Sequence, residues 1–312
     1  MTRVAVATAF GGPEVLAIVD EVVAEPAAGQ VLVEVEAIGV NPFDYKFYSG
    51  AFGTDESALP LHLGSEASGI VVAVGNSVEG PGGSISVGDE VIVTGSGTYA
   101  EKLLVPADAI LPKPASLSWE EAAGLLGVAG TSNDLLEVTG VSSGETVLVH
   151  GAAGGVGSIV VQQAIARGAR VVGTARAVNH DALRAYGAEP VEYGDGLLER
   201  VQALAPSGFD VAIDTVGTDE AVDVSLALVA DTARIVSTAA FGRAAEAGFK
   251  TVGGGDPDSA TRRKKARLAL VQAAGAGEFT VPIAKTFPLD DVARAHEELK
   301  NDHPRGKFVL VP

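Results

Sequence analysis

Residues 147–157 read Val147-Leu148-Val149-His150-Gly151-Ala152-Ala153-Gly154-Gly155-Val156-Gly157. A short run of strand-forming residues leads into a glycine-rich turn, and the turn opens a segment of helical character. Glycine lets the backbone turn tightly, approach a pyrophosphate at the helix N-terminus and pack the helix closely on the strand. The stretch is a variant of the Gly-x-Gly-x-x-Gly motif, with Ala153 in place of the middle glycine. It predicts a dinucleotide-binding turn, and a tight βα turn without a ligand is the alternative.

The segments around this turn alternate between strand and helix. The predicted strands are 170–174, 209–214 and 234–237, and the predicted helices are 157–167, 182–186, 221–229 and 261–274. Strands that alternate with helices form a parallel sheet with right-handed crossovers. This context favours the dinucleotide interpretation over a turn without a ligand.

The residues before about 115 are β-rich. Runs at 31–36 and 69–74 are rich in β-branched residues and are bounded by glycine and proline. The glycine-rich stretch 80–86 is predicted to be a flexible loop. Ser118 and Glu121 have the spacing of a capping box, so a helix should begin there. We therefore place a domain boundary near Leu117, and a helix at 290–300 and a strand at 307–311 are predicted further on.

Composition excludes several classes of function. The chain has 312 residues, with 22 Lys and Arg against 40 Asp and Glu, so its net charge is −18. So acidic a surface repels nucleic acids and anionic membranes. The absence of cysteine excludes disulfides, thiolate catalysis and cysteine-based metal sites. No apolar run has the length of a membrane span or a signal peptide, and a cytoplasmic location is expected.

The end of the second strand of the alternating region indicates which dinucleotide binds. Enzymes that use NAD usually carry an acidic residue there, which binds the ribose 2′-hydroxyl. This chain has Gly173-Thr174-Ala175-Arg176 and no acid before Asp181. A 2′-phosphate could bind the Thr174 hydroxyl and the Arg176 guanidinium. The pattern favours NADPH, with Arg176 as a solvated loop residue as the alternative.

Motifs along nearly the whole chain carry a resemblance to a known family. They are 10–16 (FGGPEVL), 39–44 (GVNPFD), 63–69 (LGSEASG), 88–91 (GDEV), 149–157, 214–217 (DTVG) and 306–310 (GKFVL). With these motifs the chain resembles the zeta-crystallin-like quinone oxidoreductases of the medium-chain dehydrogenase/reductase superfamily.

The resemblance implies an α/β fold without a metal. A GroES-like β-rich domain would comprise residues 1–117 and 281–312, and a Rossmann domain with a doubly wound parallel sheet would comprise residues 118–280. The zinc-dependent branch of the superfamily has a cysteine at the position of Asn41 and a histidine at that of Ser65, and only Glu66 matches. No metal site is therefore expected.

The resemblance also implies which residues contact NADPH. Asn41 would face the nicotinamide, Thr131 its carboxamide, and Tyr193 would stack near the adenosine phosphate. The expected cofactor contacts are Asn41, Thr131, Ala153, Gly154, Gly155, Val156, Gly157, Thr174, Arg176, Tyr193, Val216, Thr238, Ala239, Ala240 and Phe241. A strand-end or loop residue with local bonding is the alternative for those outside the glycine-rich turn.

The expected catalytic residues are Asn41, Tyr45 and Tyr48. Either tyrosine could line the substrate site or donate a proton, or it could belong to the core. Lys46 and Phe52 occupy positions where the family commonly has tyrosine, and residues 253–255 are glycines where the family often has bulkier residues. A planar acceptor benefits from aromatic walls, so these departures weaken the case for a quinone.

The expected activity is reduction of a quinone, or a similar electrophilic small molecule, by direct hydride transfer from NADPH without zinc. Reduction of an α,β-unsaturated carbonyl is the alternative within enzymes, and a non-catalytic structural relative is the alternative outside them. A small-molecule substrate and a homodimer are expected, with no nucleic-acid or membrane partner.

Overall fold

The computed structural model describes residues 1–76, 78–253, 256–302 and 305–312. These residues divide into two compact units. The first comprises Met1–Gly127, Leu268–Gly277 and Val281–Pro312, and the second comprises Val128–Arg267 and Glu278–Thr280. Of the three glycines at 253–255, Gly254 and Gly255 lie outside the described residues.

The strands are numbered in chain order. They are β1 (Thr2–Ala7), β2 (Leu16–Glu21), β3 (Gln30–Val40), β4 (Leu61–His62), β5 (Glu66–Val74), β6 (Glu79–Gly80), β7 (Gly83–Ser84), β8 (Glu90–Thr94), β9 (Lys102–Pro106), β10 (Ile110–Pro112), β11 (Thr146–His150), β12 (Arg170–Thr174), β13 (Glu189–Val191), β14 (Val211–Asp214), β15 (Ile235–Ser237), β16 (Lys250–Thr251), β17 (Ile283–Pro288) and β18 (Lys307–Val311).

The α-helices are numbered in the same way. They are α1 (Pro42–Tyr48), α2 (Trp119–Ala123), α3 (Leu125–Thr139), α4 (Gly155–Ala166), α5 (His180–Ala185), α6 (Leu197–Leu204), α7 (Asp219–Leu228), α8 (Phe241–Ala247), α9 (Pro257–Gly275) and α10 (Val292–Asp302). Single 3₁₀ turns lie at Pro13–Val15, Glu56–Ala58, Ala107–Ala109, Ala177–Asn179, Thr232–Arg234 and Leu289–Asp291.

The second unit is built on a parallel sheet in the order β13-β12-β11-β14-β15-β16. This arrangement confirms the parallel sheet that the alternating sequence predicts, and β12 has the predicted bounds. Buried residues of β11 alternate between two apolar clusters, with Val147 and Val149 in one and Leu148 in the other. A strand that is buried on both faces reads as a continuous apolar run, which is why β11 can be recognised in the sequence.

The first unit contains a mixed, mainly antiparallel sheet in the order β10-β8-β5-β3-β18-β17, with β9 also paired to β3. A smaller sheet has the order β2-β1-β4. β17 and β18 are parallel, and α10 connects them. β18 runs antiparallel to β3, with Phe308 opposite Val40. This register places Lys307 beside the end of β3, where α1 begins.

The predicted capping box is confirmed. The Ser118 side chain accepts from the Glu121 N–H at 3.1 Å, and the Glu121 carboxylate accepts from the Ser118 N–H at 2.9 Å. The helix that follows, α2, packs on β3 and β5, and Ala123 lies in a buried cluster with Ala37 and Val309. The first compact unit therefore extends past Leu117 to Gly127.

One local expectation is wrong. The sequence predicts a flexible loop at residues 80–86, but β6 and β7 pair as a short hairpin, with Glu79 opposite Ser84. Its turn contains Pro81 and Gly82, and Gly83 has φ of +111°. Turn residues mark a connection without showing whether the flanking residues pair.

Candidate active site

The glycine-rich turn forms the N-terminal end of α4 as the motif requires. Gly154 is the N-cap residue and supplies no side chain to cap the helix. The first N–H groups of a helix have no partners within it, and together with the helix dipole they attract an anion. Residues 154–156 are partly exposed, so this helix end is accessible to a phosphate group.

Two of the glycines are required, one by its backbone conformation and the other by a close contact. Gly151 has φ of +73°, a conformation that other residues rarely adopt. A Cβ atom at Gly157 would lie 2.2 Å from the carbonyl oxygen of Gly151. Gly157 therefore allows the helix to approach the turn closely, which is the packing role that the motif predicts.

The Thr174 side chain lies beneath this turn. It is 2% exposed, its Oγ1 accepts from the Gly151 N–H at 3.3 Å, and it lies 3.4 Å from Nδ1 of His150. The Thr174 hydroxyl therefore contacts only groups of its own unit in these interactions. The sequence suggests a surface position, where the hydroxyl would contact a 2′-phosphate, and the structure places it beneath the turn. The hydroxyl stabilises the turn instead.

His150, the last residue of β11, is also buried beneath the turn. Desolvation lowers the pKa of its imidazole to about 4, and the nearby Asp214 carboxylate opposes this shift more weakly. The ring is therefore neutral at physiological pH. Among the described residues, its Nε2 is the buried side-chain polar atom without a hydrogen-bond partner.

Asp214 organises the neighbouring strand ends. Its buried carboxylate accepts from the backbone N–H groups of Val216 at 2.9 Å and Gly217 at 3.0 Å, and from the Ser237 hydroxyl at 2.6 Å. The Ser237 oxygen in turn accepts from the N–H groups of Ala239 and Ala240, at 3.0 and 2.9 Å. One carboxylate thus holds both the turn after β14 and the segment after β15.

The other predicted nucleotide contacts follow neighbouring parallel strands. Arg176 is exposed just after β12, and Tyr193 is 50% exposed just after β13. Val216 after β14 and Phe241 after β15 are 48% and 44% exposed. Because parallel strands end at one edge of the sheet, these residues lie along the same edge as the glycine-rich turn. Thr131 lies in α3 and is 7% exposed.

These residues fit a dinucleotide. The uncapped start of α4 suits a pyrophosphate, and the contacts of Gly157 leave no room for a side chain under the turn. The exposed Arg176 suits a 2′-phosphate.

Asn41 lies in the first unit, at the N-terminus of α1. Its backbone N–H donates to the Asp44 carboxylate at 2.8 Å. Its Oδ1 accepts from Nζ of Lys307 at 2.6 Å, and its Nδ2 donates to Oε1 of Glu66 at 3.0 Å. Oγ of Ser65 is 3.4 Å from Nδ2. Asn41, Ser65 and Glu66, which the resemblance relates to the zinc ligands of other enzymes, therefore lie together.

Asp44 is the first member of a buried hydrogen-bonded chain. The Tyr99 hydroxyl donates to Asp44 at 2.9 Å and lies 2.9 Å from Nε2 of His296, and Nδ1 of His296 lies 2.9 Å from the Tyr48 hydroxyl. All four side chains are at most 2% exposed. Burial raises the pKa of Asp44 to about 6, and its hydrogen bonds to Asn41 and Tyr99 oppose this. The chain anchors α1, and with it Asn41, to the core.

This network separates the two tyrosines proposed for catalysis. The Tyr48 side chain is 1% exposed and its hydroxyl bonds to His296, so it occupies the core position that the sequence leaves open. Burial raises its pKa, and Asp44 and Glu14 add to the shift, so it is a poor proton donor. Tyr45 packs partly against the core, and burial raises its pKa as well.

We expect the contribution of His296 to the stability of the protein to fall in acid. Burial lowers its pKa from 6.5 to about 4. Between these values the unfolded chain binds a proton that the folded chain does not, so the contribution of His296 is complete above pH 6.5 and is lost as pH falls towards 4. In the variant His296→Gln, the loss of unfolding free energy from pH 6 to pH 5 should be about 1 kcal/mol smaller than in the wild type.

Urea denaturation at each pH measures this difference. Asp44 acts in the opposite sense, because its raised pKa keeps the folded chain protonated between 3.8 and about 6. It is present in both proteins and cancels in the comparison. An equal pH dependence in the two proteins would contradict the assignment to His296.

Three phenylalanines form an exposed aromatic surface directly after Asn41. Phe43, Phe47 and Phe52 are 54%, 36% and 61% exposed. The ring centroids of Phe43 and Phe47 are 5.7 Å apart, and those of Phe43 and Phe52 are 5.5 Å apart, with interplanar angles of 15° and 27°. Exposed apolar side chains in contact with one another commonly mark a binding surface. We call this the Phe43 surface.

We expect catalysis to be independent of metal. Within the described ranges, no three His, Asp or Glu side chains gather so that they could hold a metal ion. Glu66 is already bonded to Lys307 and Asn41. NADPH oxidation should therefore survive dialysis against EDTA or phenanthroline, and elemental analysis should find no stoichiometric zinc. Activity that is lost on dialysis and restored by zinc would contradict this.

Sequence reasoning does not identify Lys307 as a partner of Asn41, nor Asp214 and Ser237 as the residues that hold the strand ends beside the glycine-rich turn. Asp214 and Lys307 stand in motifs that carry the resemblance, 214–217 and 306–310, so a signal is present. Their partners lie far away in sequence, however: Lys307 and Glu66 are separated by 241 positions.

No described helix combines the length and apolarity that crossing a membrane requires.

Comparison with known proteins gives the family. The family description "Alcohol dehydrogenase GroES-like domain" matches residues 27–115, and "Zinc-binding dehydrogenase" matches residues 186–310. Quinone oxidoreductase of Mus musculus is 32% identical over 97% of this chain and 95% of its own length. An Arabidopsis thaliana NADPH-dependent alkenal/one oxidoreductase is 30% identical over 97% of this chain and 78% of its own length.

A solved structure extends this likeness to three dimensions. The crystal structure of Escherichia coli quinone oxidoreductase complexed with NADPH superimposes with a TM-score of 0.85 and 30% identity, covering all of both chains. The predicted combination of a GroES-like domain and a Rossmann domain is thereby confirmed. The chain belongs to the quinone oxidoreductase family of the medium-chain dehydrogenase/reductase superfamily.

Proposed function

We propose that this protein reduces a planar quinone to the hydroquinone with NADPH. The protein is an NADPH-dependent oxidoreductase, and NADPH supplies the hydride. The Phe43 surface is the observation that supports an aromatic acceptor. Its rings follow Asn41 in the chain and are exposed, and stacking on such rings contributes about 0.5–1.5 kcal/mol per aromatic pair. Position 46, where the family commonly has tyrosine, holds a lysine, and the exposed phenylalanines on and beside α1 supply the aromatic surface of this segment.

The amides at the start of α4 would bind the pyrophosphate, and Arg176 the 2′-phosphate. Thr131, Tyr193, Val216 and the segment 238–241 remain proposed contacts of the cofactor. Tyr193, Val216 and the segment 238–241 extend the strand-end surface that the glycine-rich turn begins, and Thr131 lies in α3.

Asn41 would act on the substrate. A quinone oxygen gains negative charge as the ring accepts a hydride, and an amide N–H at that oxygen stabilises the charge. A proton from solvent completes the hydroquinone, since the Tyr48 hydroxyl is bonded within the core. Tyr45 remains a proposed wall of the site.

The substrate class can be tested with two acceptors and one variant. We expect wild-type protein to oxidise NADPH with 1,4-naphthoquinone at a higher kcat/KM than with trans-2-hexenal. Phe43→Leu should lower kcat/KM for the naphthoquinone about fivefold, which corresponds to about 1 kcal/mol of stacking. The aliphatic enal serves as the control, and its kcat/KM should change less than twofold.

Three results would contradict the proposal. Equal losses for both acceptors would mean that the Phe43 surface does not stack on the substrate. Preferential reduction of the enal would assign the protein to the reductases of α,β-unsaturated carbonyls, the activity for which the Arabidopsis thaliana relative is named. NADPH binding without reduction of either acceptor would favour a non-catalytic relative.

We also propose that the protein acts as a homodimer in the cytoplasm. Light scattering should then give about twice the chain mass of 31.5 kDa.

A further inference from the structure

Lys307 is a buried cation with a complete set of partners. It is 4% exposed. An ammonium group has three N–H donors, and Nζ of Lys307 has three acceptors: the Val40 carbonyl at 2.7 Å, Oδ1 of Asn41 at 2.6 Å and Oε1 of Glu66 at 3.0 Å. The group is therefore held in one position.

Glu66 balances this charge and is equally engaged. It is 1% exposed. Its Oε1 accepts from Lys307 and from Nδ2 of Asn41, and its Oε2 accepts from the Gly127 N–H at 2.7 Å. Removing one partner of such a pair leaves an uncompensated charge inside the protein, which is strongly destabilising.

Together these two residues determine the orientation of the Asn41 side-chain amide. An ammonium group can only donate, so it must face the amide oxygen, and a carboxylate can only accept, so it must face the amide nitrogen. Rotating the amide by half a turn would place its NH₂ against Lys307 and its oxygen against Glu66. Both contacts would then be repulsive.

We propose that Lys307 is a positioning residue, which holds Asn41 so that its N–H side and not its carbonyl is available to the substrate oxygen. This inference rests on the proposed function. The second N–H of Nδ2 is held only loosely within the protein, since Oγ of Ser65 is 3.4 Å away and Asn41 is partly exposed. The bond from Lys307 to Oδ1 also polarises the amide and strengthens its N–H groups as donors.

A charge-balanced double variant separates this role from a structural one. Lys307→Met alone would bury an uncompensated Glu66 and destabilise the protein. In Lys307→Met/Glu66→Gln neither charge remains. The carbonyl of the introduced glutamine amide would still accept the hydrogen bond from the Gly127 N–H. The NH₂ of that amide would then face Asn41, and it would favour the opposite orientation of the Asn41 side chain.

We expect the double variant to fold and to lose about tenfold or more in kcat for naphthoquinone, because its amide presents the wrong group to the developing charge. NADPH affinity, measured by nicotinamide fluorescence, should change less than twofold. The matched control is Lys285→Met/Glu298→Gln, which makes the same changes at a partly exposed ion pair between β17 and α10. Its kcat should equal that of the wild type. An unchanged kcat in the folded Lys307 double variant would overturn the proposal.

A second measurement does not depend on activity. The Asn41 side-chain NH₂ signal can be found in ¹⁵N-asparagine-labelled protein by its absence in Asn41→Asp. We expect this signal to shift and to exchange faster with water in the Lys307 double variant, because the bond to a buried carboxylate is lost. An unchanged signal would overturn the proposal, even if the wild type proved inactive with quinones and the proposed function itself failed.

Discussion

Replacing Gly155 by valine should weaken NADPH binding at least about tenfold, or roughly 1.4 kcal/mol. Gly155 is the first residue of α4, where the backbone amides are available to an anion. A branched side chain there would obstruct the pyrophosphate. The fold should persist, because Gly155 is partly exposed and lies in an ordinary helical position. Gly157 is unsuitable for this test, since a Cβ there would clash with the Gly151 carbonyl.

Isothermal titration calorimetry with NADPH measures the loss, and circular dichroism checks the fold. Gly155→Ala provides a graded comparison, because its smaller side chain should produce a smaller loss. If a folded Gly155→Val protein bound NADPH as tightly as the wild type, the pyrophosphate would have to bind elsewhere.

Replacing Arg176 by alanine should lower NADPH affinity about tenfold or more and leave NADH affinity nearly unchanged. A charge-assisted hydrogen bond to the 2′-phosphate contributes about 1.5–3 kcal/mol, and NADH has no such phosphate. Since the Thr174 hydroxyl is buried beneath the glycine-rich turn, Arg176 is the residue of the 173–176 segment to which we assign this contact. Arg262 is bonded to the buried Asp134, so we expect it to compensate little.

The ratio of NADPH to NADH affinity is the informative quantity, because Tyr193 could share the phosphate. Arg184→Ala is the matched control: Arg184 also belongs to the second unit, pairs with Asp181 and is 59% exposed in its side chain. It removes the same charge without altering the strand end. The assignment would be wrong if the ratio fell equally in both variants, or if the wild type preferred NADH.

The residues proposed to contact the nucleotide can be identified from sequence because their signal is local. β11, the glycine-rich turn and α4 are consecutive, and the conformation of Gly151 and the close packing of Gly157 are requirements that the motif itself expresses. Thr174 follows the expected spacing, but whether a strand-end hydroxyl points to the surface or beneath a turn depends on packing against Gly151 and His150, which no local pattern records.

The surroundings of Asn41 can be predicted less well because they depend on distant contacts. Asn41 is recognised from a motif, but the partners that orient it are Glu66 and Lys307 on other strands. Tyr45 and Tyr48 are three positions apart on a short helix, and their different environments follow from His296, which lies 248 positions from Tyr48. The Phe43 surface likewise cannot be predicted from the sequence, because an exposed phenylalanine has the same local sequence pattern as a buried one.

The pairing of β18 with β3 has a consequence for biosynthesis. Lys307 lies 267 positions after Val40, so the sheet that holds Asn41 cannot be completed until the ribosome has released nearly all of the described chain. The parallel sheet of the second unit uses only residues 146–251 and can form earlier, since domains generally fold as units during synthesis. The second unit should therefore be the first to acquire its native structure. Truncation before residue 307 should leave this unit folded, but in the first unit β3 would lack its partner β18. An open β-sheet edge of this kind is a template for aggregation.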